Sequence, residues 1–211
     1  MQYGPNPNAI YPNEKIKSIC YVKNVITRPN IIIGDYTYYD DINGAERFEE
    51  HITHHYEFIG DKLVIGKFCA IAKGVEFVMN GANHRMCSVT TYPFNIMGHG
   101  WEKSTPTLTD LPLKGDTVIG NDVWIGQNVT VMPGVYIGDG AIIAANSVVV
   151  KDVPAYHIAG GNPCQTLKKR FDDELIHYLL AIKWWDWPAC KIFDNLETLC
   201  SGDLEKVKEL K

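Results

Sequence analysis

Seven histidines supply most of the acid–base chemistry open to this chain of 211 residues. His84 stands in Asn80-Gly81-Ala82-Asn83-His84-Arg85-Met86, a stretch of turn-forming residues. An imidazole titrates near neutrality and can take the proton of a hydroxyl. A histidine that merely packs within its loop is the competing reading. His51, His54 and His55 cluster beside Tyr56 and are candidate metal ligands. No carboxylate or cysteine completes a ligand set there, and His54 and His55 are neighbours, so no metal is expected. There is no Gly-x-Ser-x-Gly nucleophile elbow and no Walker or dinucleotide fingerprint.

The scaffold that must position these groups is legible from residue 117 onward. From Ile119 the chain reads in sixes opened by Ile119, Ile125, Val131, Ile137, Ile143 and Val149. The fifth places hold Val123, Val129, Val135, Ala141, Ser147 and Val153. Six in-phase copies at a fixed short period predict a parallel β-helix. Side chains alternate along a strand. Residues 123 and 125 therefore point inward around an outward Trp124, and Tyr136, Ile142 and Val148 point outward likewise. Asn121-Asp122, Gln127-Asn128, Pro133-Gly134 and Asp139-Gly140 supply corners between strands. Three hexads then make one coil of a triangular prism, and each coil needs the next to bury its inner face.

Other segments interrupt the repeat. Residues 1–30, with Pro5, Pro7, Pro12 and Pro29, read as an irregular entry. Ile33–Tyr38 forms a first hexad, and residues 39–60 read as an excursion between coils. The repeat returns at 65–76 and stops from Asn80 to Asp116. A long segment of this kind on a rigid frame is usually functional. After Ala159-Gly160-Gly161-Asn162-Pro163, apolar residues at helical spacing (Phe171, Leu175, Ile176, Leu179, Leu180) predict a helix with Asp172, Asp173 and Glu174 in its first turn. Such a tail would cap the open end of the coils. The expected organisation is a β-helix over 1–165 with a loop inserted at 78–116, then a helical segment over 166–211.

Composition excludes several classes. A net charge of −5 lacks the basic stripe of a nucleic-acid binder. No apolar run reaches the ~20 residues of a membrane span, and the N-terminus lacks a signal-peptide core. The six cysteines form no CxxC pair. Cys69 falls in the small-residue slot of a hexad, so it is expected to be buried and reduced. A cytoplasmic location is expected.

Gly4-Pro5-Asn6-Pro7, Tyr36-Thr37-Tyr38-Tyr39-Asp40, the 79–86 segment, Tyr92-Pro93-Phe94-Asn95, Gly100-Trp101-Glu102-Lys103, the run from Gly115 to Gly126 and Lys183-Trp184-Trp185-Asp186-Trp187-Pro188 together carry a specific resemblance. The chain resembles the xenobiotic acetyltransferases of the hexapeptide-repeat superfamily, and within them the streptogramin A acetyltransferases. The resemblance spans nearly the whole chain. The stretch Met86–Tyr92 departs from the pattern, which leaves loop geometry and acceptor preference open.

The resemblance implies an all-β solenoid wound as a left-handed parallel β-helix, which periodicity alone does not reveal. It implies a homotrimer with active sites between subunits. His84 would be the general base, passing an acetyl group directly from acetyl-CoA to an antibiotic hydroxyl, which the missing nucleophile motif suits. Tyr38, Tyr56 and Asn83 would bind the acceptor, although either tyrosine could be plain packing. Trp124 would flank the thioester, backbone groups at Gly126, Ala145 and Val150 would meet pantetheine, and Lys151 and Lys168 would meet phosphates unless they are only solvated surface. The alternatives are an acetyltransferase for chloramphenicol or a sugar, a metal-dependent hydratase on the same scaffold, and a scaffold without catalysis.

Overall fold

A computed structural model describes residues 3–210. The hexads fold as expected into very short strands joined by sharp corners. One coil comprises β2 (Ile31–Ile33), β3 (Tyr38–Asp40) and β4 (Ile52–Thr53), which follow β1 (Ile19–Tyr21). The next holds β5 (Leu63–Ile65), β6 (Ala70–Ala72) and β7 (Glu76–Val78). Then come β8 (Thr117–Ile119), β9 (Trp124–Ile125) and β10 (Thr130–Val131), followed by β11 (Tyr136–Ile137), β12 (Ile142–Ile143) and β13 (Val148–Val149). Strands of successive coils pair in parallel, in a first sheet β2-β5-β8-β11, a second containing β3-β6-β9-β12, and a third β4-β7-β10-β13. Val118 pairs with Tyr136, Trp124 with Ile142 and Thr130 with Val148, each pair three hexads apart.

This register sends the same places of every hexad into one interior. Val123, Ile125, Val129, Val131, Val135, Ile137, Ala141, Ile143, Ser147 and Val149 are all buried and belong to, or line, one core. Each buried Val or Ile is worth roughly 1.5–3 kcal/mol. Ser147 is the polar member, and it is satisfied: its hydroxyl donates to the Ala144 carbonyl (2.5 Å) and accepts from the Gly161 N–H (3.0 Å). Cys69 is likewise buried, and burial pushes its thiol up to about 12. Corners need left-handed backbone, which Asp122, Asn128 and Asn146 adopt at φ of 55–59°. Asn and Asp tolerate that region better than other side chains with a Cβ.

Three expectations require correction. Residues 1–30 are not wholly irregular, because β1 pairs antiparallel with β3 and extends the second sheet. Residues 39–60 are not one excursion: β3 and β4 are regular members of the first coil, and the chain is inserted at two corners, over 41–51, with a 3₁₀ turn over Ala45–His51, and over 54–62. The third concerns the tail. A hairpin of β14 (His157–Gly161) and β15 (Cys164–Lys169) ends the second sheet, so β15 runs across the 165/166 boundary. Helix α1 (Asp173–Ile182) follows, capped by the Asp172 carboxylate on the Leu175 N–H (2.8 Å), with α2 (Ala189–Asp194), α3 (Leu196–Leu199) and α4 (Leu204–Val207).

This tail is not an end cap. It runs back along one flank, past earlier coils in reverse order. Arg170 donates to the Gly140 carbonyl (2.6 Å), Trp184 packs on Phe68 (4.9 Å between rings), Lys67 pairs with Asp186 (2.9 Å), and Phe193 meets Tyr3 (5.7 Å). The physical reason is an apolar edge at the corner between first and second sheets, where Phe68 and Tyr156 join Leu175, Ile176, Leu179 and Trp185 in a second core.

Candidate active site

Both long insertions leave the same corner, where the chain passes from the third sheet back to the first. Residues 54–62 link β4 to β5, and residues 79–116 link β7 to β8. Insertions at a corner leave the inward pairs in register, so the core does not resist them. The larger segment forms 3₁₀ turns over Asn80–Ala82, Phe94–Met97, Trp101–Ser104 and Leu108–Asp110, with no strand among the described residues.

The two insertions interlock at their roots. The Gly81 N–H donates to the His54 carbonyl (3.1 Å). A Cβ on Gly81 would lie 2.4 Å from that carbonyl oxygen and 2.5 Å from the Tyr56 ring, so this place requires glycine. Tyr56 stacks on Phe58 with ring centroids 5.6 Å apart, and both rings are exposed. Asn80 and Asp61, at the roots of the two insertions, are buried.

His84 stands on the exposed part of the loop. Its Nδ1 lies 2.7 Å from the Thr91 carbonyl oxygen. A carbonyl can only accept, so Nδ1 carries a proton, and in the neutral ring the lone pair is then on Nε2. This is the tautomer a general base needs. Asn83, beside it, donates from Nδ2 to Asn80 Oδ1 and to the Pro112 carbonyl (3.3 Å each).

The other histidines part company. His51 Nε2 lies 3.1 Å from the Tyr39 hydroxyl, and His54 is exposed with φ of 54°. His55 is buried, with Nε2 2.7 Å from Asn30 Nδ2 and 2.9 Å from the Asp61 carbonyl. Among the described residues no group of three or more His, Cys, Asp or Glu side chains is placed to hold a metal ion.

The remaining candidates occupy another surface. Tyr38, Ala70, Trp124, Ile142 and Ile158 are in register on successive strands of the second sheet. Trp124 is 55% exposed, as an outward residue should be. Burial, and then the nearby Asp40, raise the Tyr38 phenol above its ordinary range. Gly126 and Ala145 meet at the next corner: the Gly126 N–H donates to the Ile143 carbonyl (2.9 Å), and a Cβ there would sit 2.7 Å from the Ala145 nitrogen. Lys168 is exposed on β15, opposite Ile158. Val150 and Lys151, also exposed, lie instead at the corner that carries His84. The structure therefore separates Lys151 from Lys168. It also puts Tyr38 and Trp124 on the face opposite the corner of His84 and Tyr56. Sequence reasoning missed Thr91, Asp61, Asn80 and Phe58. Only Asn80, the first residue after the repeat stops, carried a hint of its role.

A family model described as bacterial transferase hexapeptide (six repeats) matches residues 116–151. Over 162 residues the chain is 69% identical to a probable macrolide acetyltransferase of Lysinibacillus sphaericus, covering 77% of this chain and 90% of that protein. It is 52% identical over 206 residues to a virginiamycin A acetyltransferase of Staphylococcus aureus, covering 98% and 93%. It is 42% identical over 181 residues to a chloramphenicol acetyltransferase of Agrobacterium fabrum, covering 85% and 86%. The chain belongs to the hexapeptide-repeat acetyltransferases. The parallel strands and three-hexad register agree with that fold.

Proposed function

We propose that this protein is an acetyl-CoA-dependent O-acetyltransferase that inactivates streptogramin A antibiotics. The observation that carries the mechanism is the His84–Thr91 hydrogen bond, which leaves Nε2 as an acceptor. His84 Nε2 takes the proton of the acceptor hydroxyl. The oxygen attacks the thioester carbonyl of acetyl-CoA, a C–O bond forms and the C–S bond breaks. His84 then returns the proton to the departing thiolate of coenzyme A. Acceptor contacts come from Tyr38, Tyr56 and Asn83. Trp124, Gly126, Ala145, Val150, Lys151 and Lys168 line the path for the acetyl donor. The identity to a virginiamycin A acetyltransferase over almost the full chain supports the acceptor class.

The coils wind left-handed, and three chains assemble so that the His84 corner of one meets the Trp124 face of the next. Two observations support the trimer. The tyrosine–tryptophan face and the histidine corner lie on opposite sides of a single chain. Ile32, Val64, Val118 and Tyr136 also form an apolar row along the outside of the first sheet, with Ile32 49% and Tyr136 47% exposed. Such a row marks an interface. Among the described residues no helix is long and apolar enough to cross a membrane, and the proposed location is the cytoplasm. A second reading, chloramphenicol as acceptor, has support from the 42% identical relative. Purified protein should be given acetyl-CoA with a streptogramin A, chloramphenicol and a macrolide in separate reactions. Thiol release with a mass gain of one acetyl group on the streptogramin A alone is the expected result. Turnover confined to another acceptor would replace this reading.

A further inference from the structure

We propose that Asp61 and Asn80 form a buried clasp that positions His84; this rests on His84 being the base. The two residues are 5% and 2% exposed. Asp61 Oδ2 accepts from both the backbone N–H (3.0 Å) and the Nδ2 (2.8 Å) of Asn80. The same Asn80 Nδ2 donates to the Gly115 carbonyl (2.7 Å), and Asn80 Oδ1 accepts from the Lys114 N–H (2.7 Å). One carboxamide thus ties the start of the 79–116 loop to its end. From there the link reaches the imidazole in two steps. Asn83 Nδ2 donates to Asn80 Oδ1 and to Pro112, and Asn83 is the residue before His84.

The chemistry at this point is specific. Only a carboxamide both donates and accepts in that place; an aspartate at 80 would face the Asp61 carboxylate. Asp61 Oδ1 lies 3.9 Å from His55 Nε2. Fixing the loop root removes the freedom that would let an exposed imidazole drift, and a displacement of about 1 Å in a catalytic group costs about 100-fold in rate.

The test is a cycle of Asn80→Ala, His84→Ala and the double variant, with kcat, KM for acetyl-CoA, melting temperature and pH profile. Asn80→Ala should lower kcat by about 100-fold with little change in that KM. Its residual activity should keep the rising pH limb of the wild type. The double variant should be no slower than His84→Ala, because a positioning residue has nothing left to position. Wild-type kcat in Asn80→Ala, or a double variant slowed by the product of the two single effects, overturns the clasp while leaving His84 as base. Wild-type turnover in His84→Ala overturns the base assignment and the clasp with it. Should Asn80→Ala fail to fold, Asn80→Asp keeps the shape of the side chain and removes both Nδ2 donations, to Asp61 and to Gly115. Loss of kcat there, again absent in the His84→Ala background, supports the clasp; unchanged kcat overturns it.

Discussion

The Thr91 carbonyl, seven residues past His84, holds the Nδ1–H of that imidazole at 2.7 Å. One backbone oxygen fixes both the tautomer and the orientation of the ring, and it leaves a single nitrogen for chemistry. The bond also closes the loop tip on itself, so the imidazole is oriented by its own segment.

His84→Ala should lower turnover by about 10²–10⁴-fold, the usual worth of a positioned general base. The melting temperature should hold, because the residue is exposed and contributes nothing to the core. In the wild type, log kcat/KM should rise with pH along a limb that reports the unprotonated base. That limb should be absent in the variant. Stopped-assay rates across pH, with thermal melts, check both; near-wild-type rates in a stable variant would remove the assignment.

Gly81→Ala tests the contact between the two insertions. The new methyl would meet the His54 carbonyl at 2.4 Å and the Tyr56 ring at 2.5 Å, and backbone cannot yield as a flexible side chain does. An overpacked site of this type costs about 1–3 kcal/mol. A lower melting temperature and a raised KM for the acceptor are expected together, with KM for acetyl-CoA unmoved. An unchanged acceptor KM would show that Tyr56 does not touch the acceptor.

The coils were legible because hexad phase is a strictly local signal: Val123 and Ile125 are inward for the same reason in every copy. The strands β3 and β4 escaped because the insertion at 41–51 broke the phase while leaving the pairing of Tyr39 and Ile52 intact. The tail was legible as helix from Leu175, Ile176 and Leu179, but its place was not. Spacing reveals an apolar stripe and says nothing of which surface covers it, here the flank formed by Phe68 and Tyr156. His84 was legible as a candidate, whereas the Asp61–Asn80 contact joins residues on different coils and leaves no mark in sequence spacing.

Assembly can be tested by complementation. Trp124→Ala should raise KM for acetyl-CoA, and His84→Ala should lower kcat. Trimers mixed at random from equal amounts of the two would pair intact surfaces at about a quarter of their interfaces. Co-expressed variants should therefore regain roughly that share of wild-type turnover at low acetyl-CoA. No recovery in mixed trimers of confirmed composition would place the whole site within one chain.

Asp122 gives the fold a pH dependence of its own. It turns the corner after β8 at φ of 55°, and burial raises its carboxyl from 3.8 to about 6, with Arg170 opposing that rise and Asp139 adding to it. A native state that binds a proton more tightly than the unfolded chain gains stability as pH falls. Stability should therefore increase on acidification from about 6 toward 4, as far as this group is concerned, and its penalty should be fully present at neutral pH. The side chain retains 31% of its exposure and lies 3.8 Å from Arg170, so the penalty is nearer 1 kcal/mol than the unscreened shift suggests. Asp122→Asn keeps a residue suited to left-handed backbone and removes the titration. Denaturant melts at pH 7 should show the variant more stable by about 1 kcal/mol, with the difference vanishing near pH 4. A variant less stable than wild type at neutral pH would mean that the Arg170 pairing outweighs the cost of burial.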